Sequence, residues 1–156
     1  MEALDWLSTT GLAISLKASG TLYLFVNAAH ILSIGTLFGA ILALDLRILG
    51  LGRSLPLAAV APYLSRLAAV GLALAAVTGL CLFSVRPAEY AGNPAFLAKL
   101  GLIALGLANV AAVHLGSGWK TVLAGGTPDT ALRLGATVSI LVWLAAVVAG
   151  RWIGFL

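Results

Sequence analysis

The sequence predicts an all-α integral membrane protein, built as a four-helix up-down bundle with a short interfacial helix at its N-terminus. Of its 156 residues, 62% are hydrophobic and 9% are charged, whereas about 25% of the residues are charged in a soluble domain. The mean hydropathy is +1.11. Four apolar stretches are each long enough to cross a bilayer, which takes about 20 helical residues. These observations exclude a soluble globular enzyme, a disordered segment and a nucleic-acid-binding protein.

The N-terminal segment, residues 1–20, is more polar than the rest of the chain. A secretory signal peptide carries Lys or Arg before its apolar stretch, but Glu2 and Asp5 stand in that position here. A helix lying in the headgroup region accommodates this pattern, with Trp6 at the interface. We therefore expect an interfacial segment over 1–20 and a transmembrane domain over 21–156.

The four spans are rich in Leu and Ala and lack the alternation of polar and apolar residues that membrane strands show. They are expected at about 22–48, 60–85, 95–119 and 131–155. The dipeptide Asn93-Pro94 opens the third span, because proline is favoured in the first turn of a helix. Asp129 or Thr130 is expected to cap the fourth. Since every loop is short, neighbouring spans are expected to pack antiparallel.

The charged residues indicate a lipid bilayer as a partner. The net charge is +4, but no Lys/Arg cluster could follow a phosphate backbone. Basic residues are slightly more frequent at the loops after the first and third spans, which predicts that both termini lie outside the cytoplasm. The single cysteine, Cys81, excludes an internal disulfide, an iron–sulfur site and a Cys-rich zinc site.

Two histidines, His30 and His114, fall inside the first and third spans, and an ionisable residue in a membrane is a functional-site hypothesis. His30 follows Lys17 by 13 residues and His114 follows Lys99 by 15. If both lysines mark one membrane surface, the two rings meet at one level. Diagonal helix axes about 11–14 Å apart match the ~13 Å spanned by two histidines and a metal. We therefore expect His30 and His114 to ligate the iron of one haem b, which needs two axial ligands.

Polar residues near these histidines could complete the haem site. Asn27 and Ser33 each lie three residues from His30 and could accept its free ring N–H. Lys99 and Arg86 share one side of the membrane and could reach the propionates. The alternatives are that the histidines are structural hydrogen-bond partners between helices, and that the two cations extend to lipid headgroups.

Small residues indicate where helices approach closely. Gly35 and Gly39 form a G-x-x-x-G in the first span, and Gly71, Ala75 and Gly79 form a similar stripe in the second. Such stripes bring helices together in lipid, within one chain or between two copies in a homodimer. On an inner face they would instead leave room for a flat cofactor.

Two longer segments resemble a known group of proteins. The segment from His30 through Asp45-Leu46-Arg47-Ile48-Leu49-Gly50 and the run from Tyr90 to Lys99 resemble a bacterial family of small four-helix inner-membrane proteins of unassigned function. The chain is also distantly similar to the membrane domain of copper-resistance D proteins and, in layout, to haem b membrane cytochromes. The resemblance implies a multi-pass location in the bacterial inner (cytoplasmic) membrane.

The sequence departs from the pattern of these proteins in two respects. Two-haem membrane cytochromes usually supply four histidines, so the two present here allow at most one bis-His haem. One Met and one Cys provide few soft ligands for copper(I).

The function expected from these features is a membrane electron-transfer subunit. It would bind one b-type haem between the first and third spans and exchange electrons with a quinone or a partner redox protein. The sequence shows no acid–base, nucleophile or nucleotide motif, so any catalysis would be that of a haem-dependent oxidoreductase subunit. The alternatives are a small transporter or metal-handling protein, with Asn27, His30 and His114 along a path, and a purely structural subunit of a larger complex.

Overall fold

The computed structural model describes residues 2–155, which form eight α-helices and a final 3-10 turn. The helices are α1 Glu2–Ser8, α2 Gly11–Ala18, α3 Gly20–Leu49, α4 Leu57–Val85, α5 Pro87–Gly92, α6 Pro94–Leu115, α7 Ser117–Leu123 and α8 Thr130–Trp152, followed by the turn Ile153–Phe155. Four of the helices, α3, α4, α6 and α8, are long and apolar enough to cross a membrane. The predicted all-α, multi-pass four-helix bundle is confirmed.

The long helices are arranged in the order α4–α3–α8–α6. α3 packs against both α4 and α8, and α6 packs against α8. The expectation that consecutive spans pack together therefore holds for α3 with α4 and for α6 with α8. It is wrong for α4 and α6, because within residues 2–155 no Cα atom of one comes within 8 Å of the other.

Side chains of α4 and α6 meet at both ends of the space between the two helices. The rings of Phe83 on α4 and Phe96 on α6 stack with their centroids 5.5 Å apart. Toward the opposite end, His114 Nε2 on α6 lies 3.4 Å from Ser65 Oγ on α4. The two helices are therefore linked by side chains, while their backbones stay more than 8 Å apart in the described residues.

The helix ends follow local chemistry. Gly50 ends α3 with φ +114°, a left-handed conformation that favours glycine. Asn93 caps α6, where its Oδ1 accepts hydrogen bonds from the backbone N–H groups of Ala95 and Phe96. Asp129 caps α8 by accepting from the N–H of Leu132 at 2.8 Å, as one of the two predicted alternatives.

The third span is shorter than predicted. It ends at Leu115 rather than near Trp119, because Gly116 adopts an extended conformation, with ψ at 155°. The chain resumes as the separate short helix α7, which carries Trp119 into the core. The sequence marks this break by Gly116-Ser117-Gly118, a helix-breaking pattern that the span prediction from hydropathy passed over.

The N-terminal segment forms two helices instead of the single expected one. Thr10 separates them, and its hydroxyl accepts from the backbone N–H of Ala13 to cap α2. α2 packs against α3 and α4 and buries Ala13 and Leu16. Trp6 on α1 remains exposed, and the interfacial position of this segment stays a prediction.

Candidate functional site

A cavity of about 220 Å³ lies inside the bundle, with walls from α3, α4, α6 and α8. Trp119 of α7 closes it toward the end of the bundle that carries the α3–α4 loop. Most of the wall is aliphatic, and typical members are Leu37, Ile41, Leu72 and Val110. Residues of α4 and α6, two helices whose Cα atoms stay more than 8 Å apart in the described residues, face each other across the cavity.

A few polar side chains interrupt this apolar wall. Six of them come from all four long helices: Asp45, Ser65, Asn109, His114, Ser139 and Trp143. An apolar cavity with a small number of convergent polar groups is the usual form of a small-molecule site. The cavity is therefore the candidate functional site of this chain.

Two atoms in the wall have no partner. Asp45 is 6% exposed and Trp143 is 4% exposed. Within the described part of the chain, Asp45 Oδ2 and Trp143 Nε1 are the buried side-chain polar atoms that make no hydrogen bond. Burying an unpaired polar group costs about 1–3 kcal/mol. Both groups therefore have unused hydrogen-bonding capacity for a ligand, the Asp45 carboxyl through Oδ2 and the Trp143 indole through its N–H donor.

Asp45 is also without a counter-cation. Arg47, two residues after Asp45 on α3, makes its contacts elsewhere, because its guanidinium donates to the carbonyl of Leu55 at 2.6 and 3.0 Å. Across residues 2–155, no Lys or Arg nitrogen lies within salt-bridge distance of the Asp45 carboxyl. The hydroxyl of Ser139 on α8 is the polar group beside it.

His114 presents a hydrogen-bond acceptor at the cavity. Its Nδ1 lies 2.9 Å from the carbonyl oxygen of Val110, which can only accept, so Nδ1 carries the proton. In the neutral ring Nε2 is then an acceptor, and Ser65 Oγ lies 3.4 Å away. Trp119 supports the ring from the side, with the two ring centroids 4.2 Å apart.

His30 lies outside this cavity, toward the other end of the bundle. Its Nδ1 is 2.9 Å from Thr78 Oγ1 on α4. The Thr78 hydroxyl donates to Leu74 O at 2.6 Å, so it accepts the hydrogen bond from His30. Neither predicted partner is used: Asn27 is exposed on the outer side of α3, and Ser33 Oγ donates to Ala29 O at 2.6 Å.

The two histidines do not meet at one level. Their partners on α4, Ser65 and Thr78, are 13 residues apart, which corresponds to about 20 Å along a helix. Lys17 lies on α2, and a break at Ser19 separates α2 from α3. The number of residues between Lys17 and His30 therefore does not give the depth of His30 along the bundle. The expectation of a common level is wrong, because His30 lies 10 residues into α3 while His114 is next to the last residue of α6.

The separation of His30 and His114 is too large for the expected haem, which both rings would ligate. Two histidine side chains and a metal span only about 13 Å, so one haem ligated by both rings does not fit the arrangement. In the described residues, no group of three or more His, Cys, Asp or Glu side chains is placed to hold a metal ion. Haem binding by this chain stays a prediction.

The two predicted propionate partners occupy different environments. Lys99 is half-buried, and its aliphatic carbons lie 3.5 Å from where a Cβ on Gly150 would stand. Arg86 is exposed and forms a salt bridge of 3.3 Å with Glu89. Lys99 thus points into the bundle toward α8, whereas Arg86 stays at the surface. Their role in cofactor binding stays a prediction.

Several cavity residues were not expected as site residues. Asp45 carries a signal that the sequence contains, because it is an acidic residue within the first span. Ser65, Ser139 and Trp143 carry none, since isolated Ser and Trp residues are common in membrane helices. Only packing shows that they line one cavity with Asp45.

Comparison with known proteins identifies the family to which the chain belongs. No curated protein and no solved structure matches the chain. One family model, described as a family of unknown function (DUF6644), matches residues 3–156. The match includes the four long helices, both histidines and every residue of the cavity. The chain therefore belongs to the DUF6644 family.

Proposed function

We propose that the protein is a quinone-binding membrane subunit of an electron-transfer system, with the quinone head group held in the central cavity. The observation that carries this proposal is the combination of an apolar cavity, unpaired polar atoms in its wall and the wide separation of α4 and α6 beside it. A ligand that enters between these two membrane helices must itself be lipid-soluble. It must also carry polar atoms that can pair with the wall.

The size of the cavity suits a substituted six-membered ring. A cavity of about 150 Å³ in another protein holds benzene, and the volume here is about 220 Å³. The difference leaves room for the two oxygens of a quinone and small substituents. The isoprenoid tail would leave through the space between α4 and α6, where the exposed faces of both helices are apolar.

The chemical class of the function follows from the resemblance in layout to haem b membrane cytochromes. That resemblance supports electron transport, a partner redox protein and a location in the bacterial inner membrane. The proposal does not require a haem between His30 and His114. His114 lies in the wall of the proposed quinone site.

A second candidate function is a small transporter. The observation that favours it is the presence of two polar sites about 20 Å apart along the bundle, His30 with Thr78 and His114 with Ser65. A path for a proton or a small polar solute would need sites in both halves of the membrane. It would also need water between them, where the wall is aliphatic.

The test is quinone binding to the purified protein in nanodiscs. Trp119 and Trp143 line the cavity, so we expect a short-chain benzoquinone to quench tryptophan fluorescence saturably. Ala68→Phe fills the cavity from α4 and should abolish the saturable quenching. Ala73→Phe makes the same change on the exposed side of that helix and should not.

Two results would contradict a quinone site. One is quenching that never saturates in the wild type. The other is equal saturable quenching in Ala68→Phe and Ala73→Phe, after circular dichroism has shown that both are folded. Quinone-independent uptake of a solute by liposomes containing the protein would favour the transporter instead.

A further inference from the structure

We propose that a second cavity, at the end of the bundle where the N-terminal helices pack, binds an anionic phosphate diester, the group that acidic phospholipids carry in their headgroups. We call it the end cavity. Its volume is about 1170 Å³, which is comparable to the largest small-molecule sites. In the described part of the chain it shares no lining residue with the central cavity, so this inference goes beyond the proposed function and does not depend on it.

The end cavity lies where all four spans end on one side of the membrane. Its lining includes Gly20, the first residue of α3, Val85, the last residue of α4, Asn93, which caps α6, and Ile153, which follows α8. Since α3 has 30 residues, it is about 45 Å long. That length equals the thickness of a bilayer together with its two headgroup regions. We therefore expect the end cavity at the level of the phospholipid headgroups.

One wall of the end cavity is the N-terminal helix α2, which contributes Leu16 and Lys17. α2 packs against α3 and α4. Among the described residues, however, no Cα atom of α2 comes within 8 Å of the final turn Ile153–Phe155, which supplies part of the opposite wall. A ligand in the end cavity would therefore join two parts of the chain that do not touch each other.

Two cationic side chains from separate elements line the end cavity. Lys17 comes from α2, and Arg86 stands between α4 and α5. Both side chains are exposed, and exposed Lys and Arg side chains are charged at neutral pH. Glu89 is the acidic residue of the lining, so two cations and one carboxylate leave a net charge of +1. Charge therefore favours a negatively charged ligand.

Both cations keep donors for a ligand. Arg86 contacts Glu89 through Nη1 at 3.3 Å, but a guanidinium has five N–H donors, in a fork that matches the oxygens of a phosphate. Lys17 Nζ donates to Ser8 O at 2.8 Å, which uses one of its three donors. Charge-assisted hydrogen bonds from such groups to a phosphate are shorter and stronger than neutral ones.

Hydroxyl groups and apolar side chains complete the lining. Tyr23 and Tyr90 each add a hydroxyl, and the Tyr90 ring packs on Phe96 with the two centroids 5.5 Å apart. Leu16 and Val85 add apolar surface. A phospholipid has matching chemistry, because its charged phosphate is followed by polar glycerol and ester oxygens and then by acyl chains. This combination, at the level of the headgroups, favours a lipid over a soluble phosphate diester.

The experiment is a titration of the full-length protein in detergent with phosphatidylglycerol, followed by native mass spectrometry. We expect one phosphatidylglycerol to bind saturably to wild type, about 10-fold more tightly than phosphatidylcholine, whose headgroup has no net charge. The double variant Lys17→Gln/Arg86→Gln should weaken this binding by about 30-fold, the effect of two basic residues near an anionic lipid.

The matched control is the double variant Lys120→Gln/Arg133→Gln. It removes the same charge from two exposed positions at the opposite end of the bundle, so it should keep the wild-type affinity. Circular dichroism checks that both double variants are folded. Equal affinities of wild type for the two lipids, or equal losses in the two double variants, would overturn the site.

Glycerophosphoglycerol, the same headgroup without acyl chains, distinguishes the two sources of the phosphate. We expect it to bind to wild type at least about 10-fold more weakly than phosphatidylglycerol, because acyl chains add apolar contacts. Equal binding of the two compounds would keep the phosphate site and assign it to a soluble diester. Absence of saturable binding by either compound would overturn the proposal, and it would leave the quinone site unaffected, since that site is tested by its own ligand and variants.

Discussion

Asp45 is a carboxyl group inside a membrane protein, held without a cation and with one oxygen unpaired in the described structure. Moving such a group out of water is expensive unless partners replace the lost hydration. Proteins keep costly groups of this kind mainly where they bind or transport something. Trp143, in the same cavity wall, has an indole N–H without an acceptor. Two unpaired polar groups in one wall indicate a ligand more strongly than either residue alone.

The separation of the two histidines gives a spectroscopic prediction. Because His30 and His114 are about 20 Å apart along the bundle, they should not ligate one iron together. Protein purified after expression with surplus haem should therefore lack the low-spin, six-coordinate spectrum of bis-His haem on reduction with dithionite. A low-spin spectrum that both His30→Ala and His114→Ala convert to high-spin would show that the helices rearrange around a haem.

The two histidines also show that the depth of a residue in the bundle could not be predicted from the sequence. Their residue types and positions inside the spans were evident from the sequence, and both lie in long membrane helices as predicted. Their depth was not evident, because it depends on where each helix starts. A break at Ser19 separates Lys17 from α3, and another at Gly116 ends α6 just after His114.

At the scale of elements, the bundle depends on the tight contact between α3 and α4. A Cβ atom on Gly71 would stand 2.6 Å from the backbone nitrogen of Leu37, so only glycine fits there. A Cβ atom on Gly35 or Gly39, which form the G-x-x-x-G, would meet no atom within 4 Å among the described residues. Small-residue stripes in the sequence thus indicated close helix packing in general, but not that Gly71 forms the contact between α3 and α4. A homodimer through Gly35 and Gly39 stays a prediction.

Alanine substitutions at Gly71 and Gly39 distinguish the tightly packed glycine from the one on an open face. Gly71→Ala should lower the free energy of unfolding in detergent by about 1–3 kcal/mol, because the added methyl meets backbone rather than a flexible side chain. Gly39→Ala adds the same methyl to an open face and should not destabilise the monomer. Denaturant unfolding followed by circular dichroism measures both. Equal stability of the two variants would contradict the close approach of α3 and α4 at Gly71.

For the whole molecule, the number of spans and their class followed from hydropathy, and helix ends followed from Gly, Pro and capping residues. The order in which the helices pack could not be predicted from the sequence, because short loops also allow a closed ring in which each of the four helices packs against two others. In the structure α4 and α6 flank an opening instead. Phe83 and Phe96 meet across it at one end and Ser65 and His114 at the other, and the spacing of these residues in sequence gives no indication of that.

The topology is testable with reporters at three exposed glycines and the C-terminus. The turns at Gly52 and Gly125 lie at one end of the bundle, whereas Gly92 and the C-terminal turn lie at the other. Green fluorescent protein inserted after Gly52 or Gly125 should fluoresce in the cytoplasm, given the basic residues on that side. Insertion after Gly92 or fusion at the C-terminus should give a periplasmic alkaline phosphatase signal. Opposite locations for Gly52 and Gly125 would contradict four spans.

The open order of the helices also has a consequence for biogenesis. α3 packs with α4, and α6 packs with α8, so the long helices form two hairpins that meet between α3 and α8. Helices in lipid insert first and associate afterwards. The first hairpin can therefore assemble while the second is still being synthesised. The walls of the cavity come from both hairpins, so the cavity can form only when the two hairpins come together.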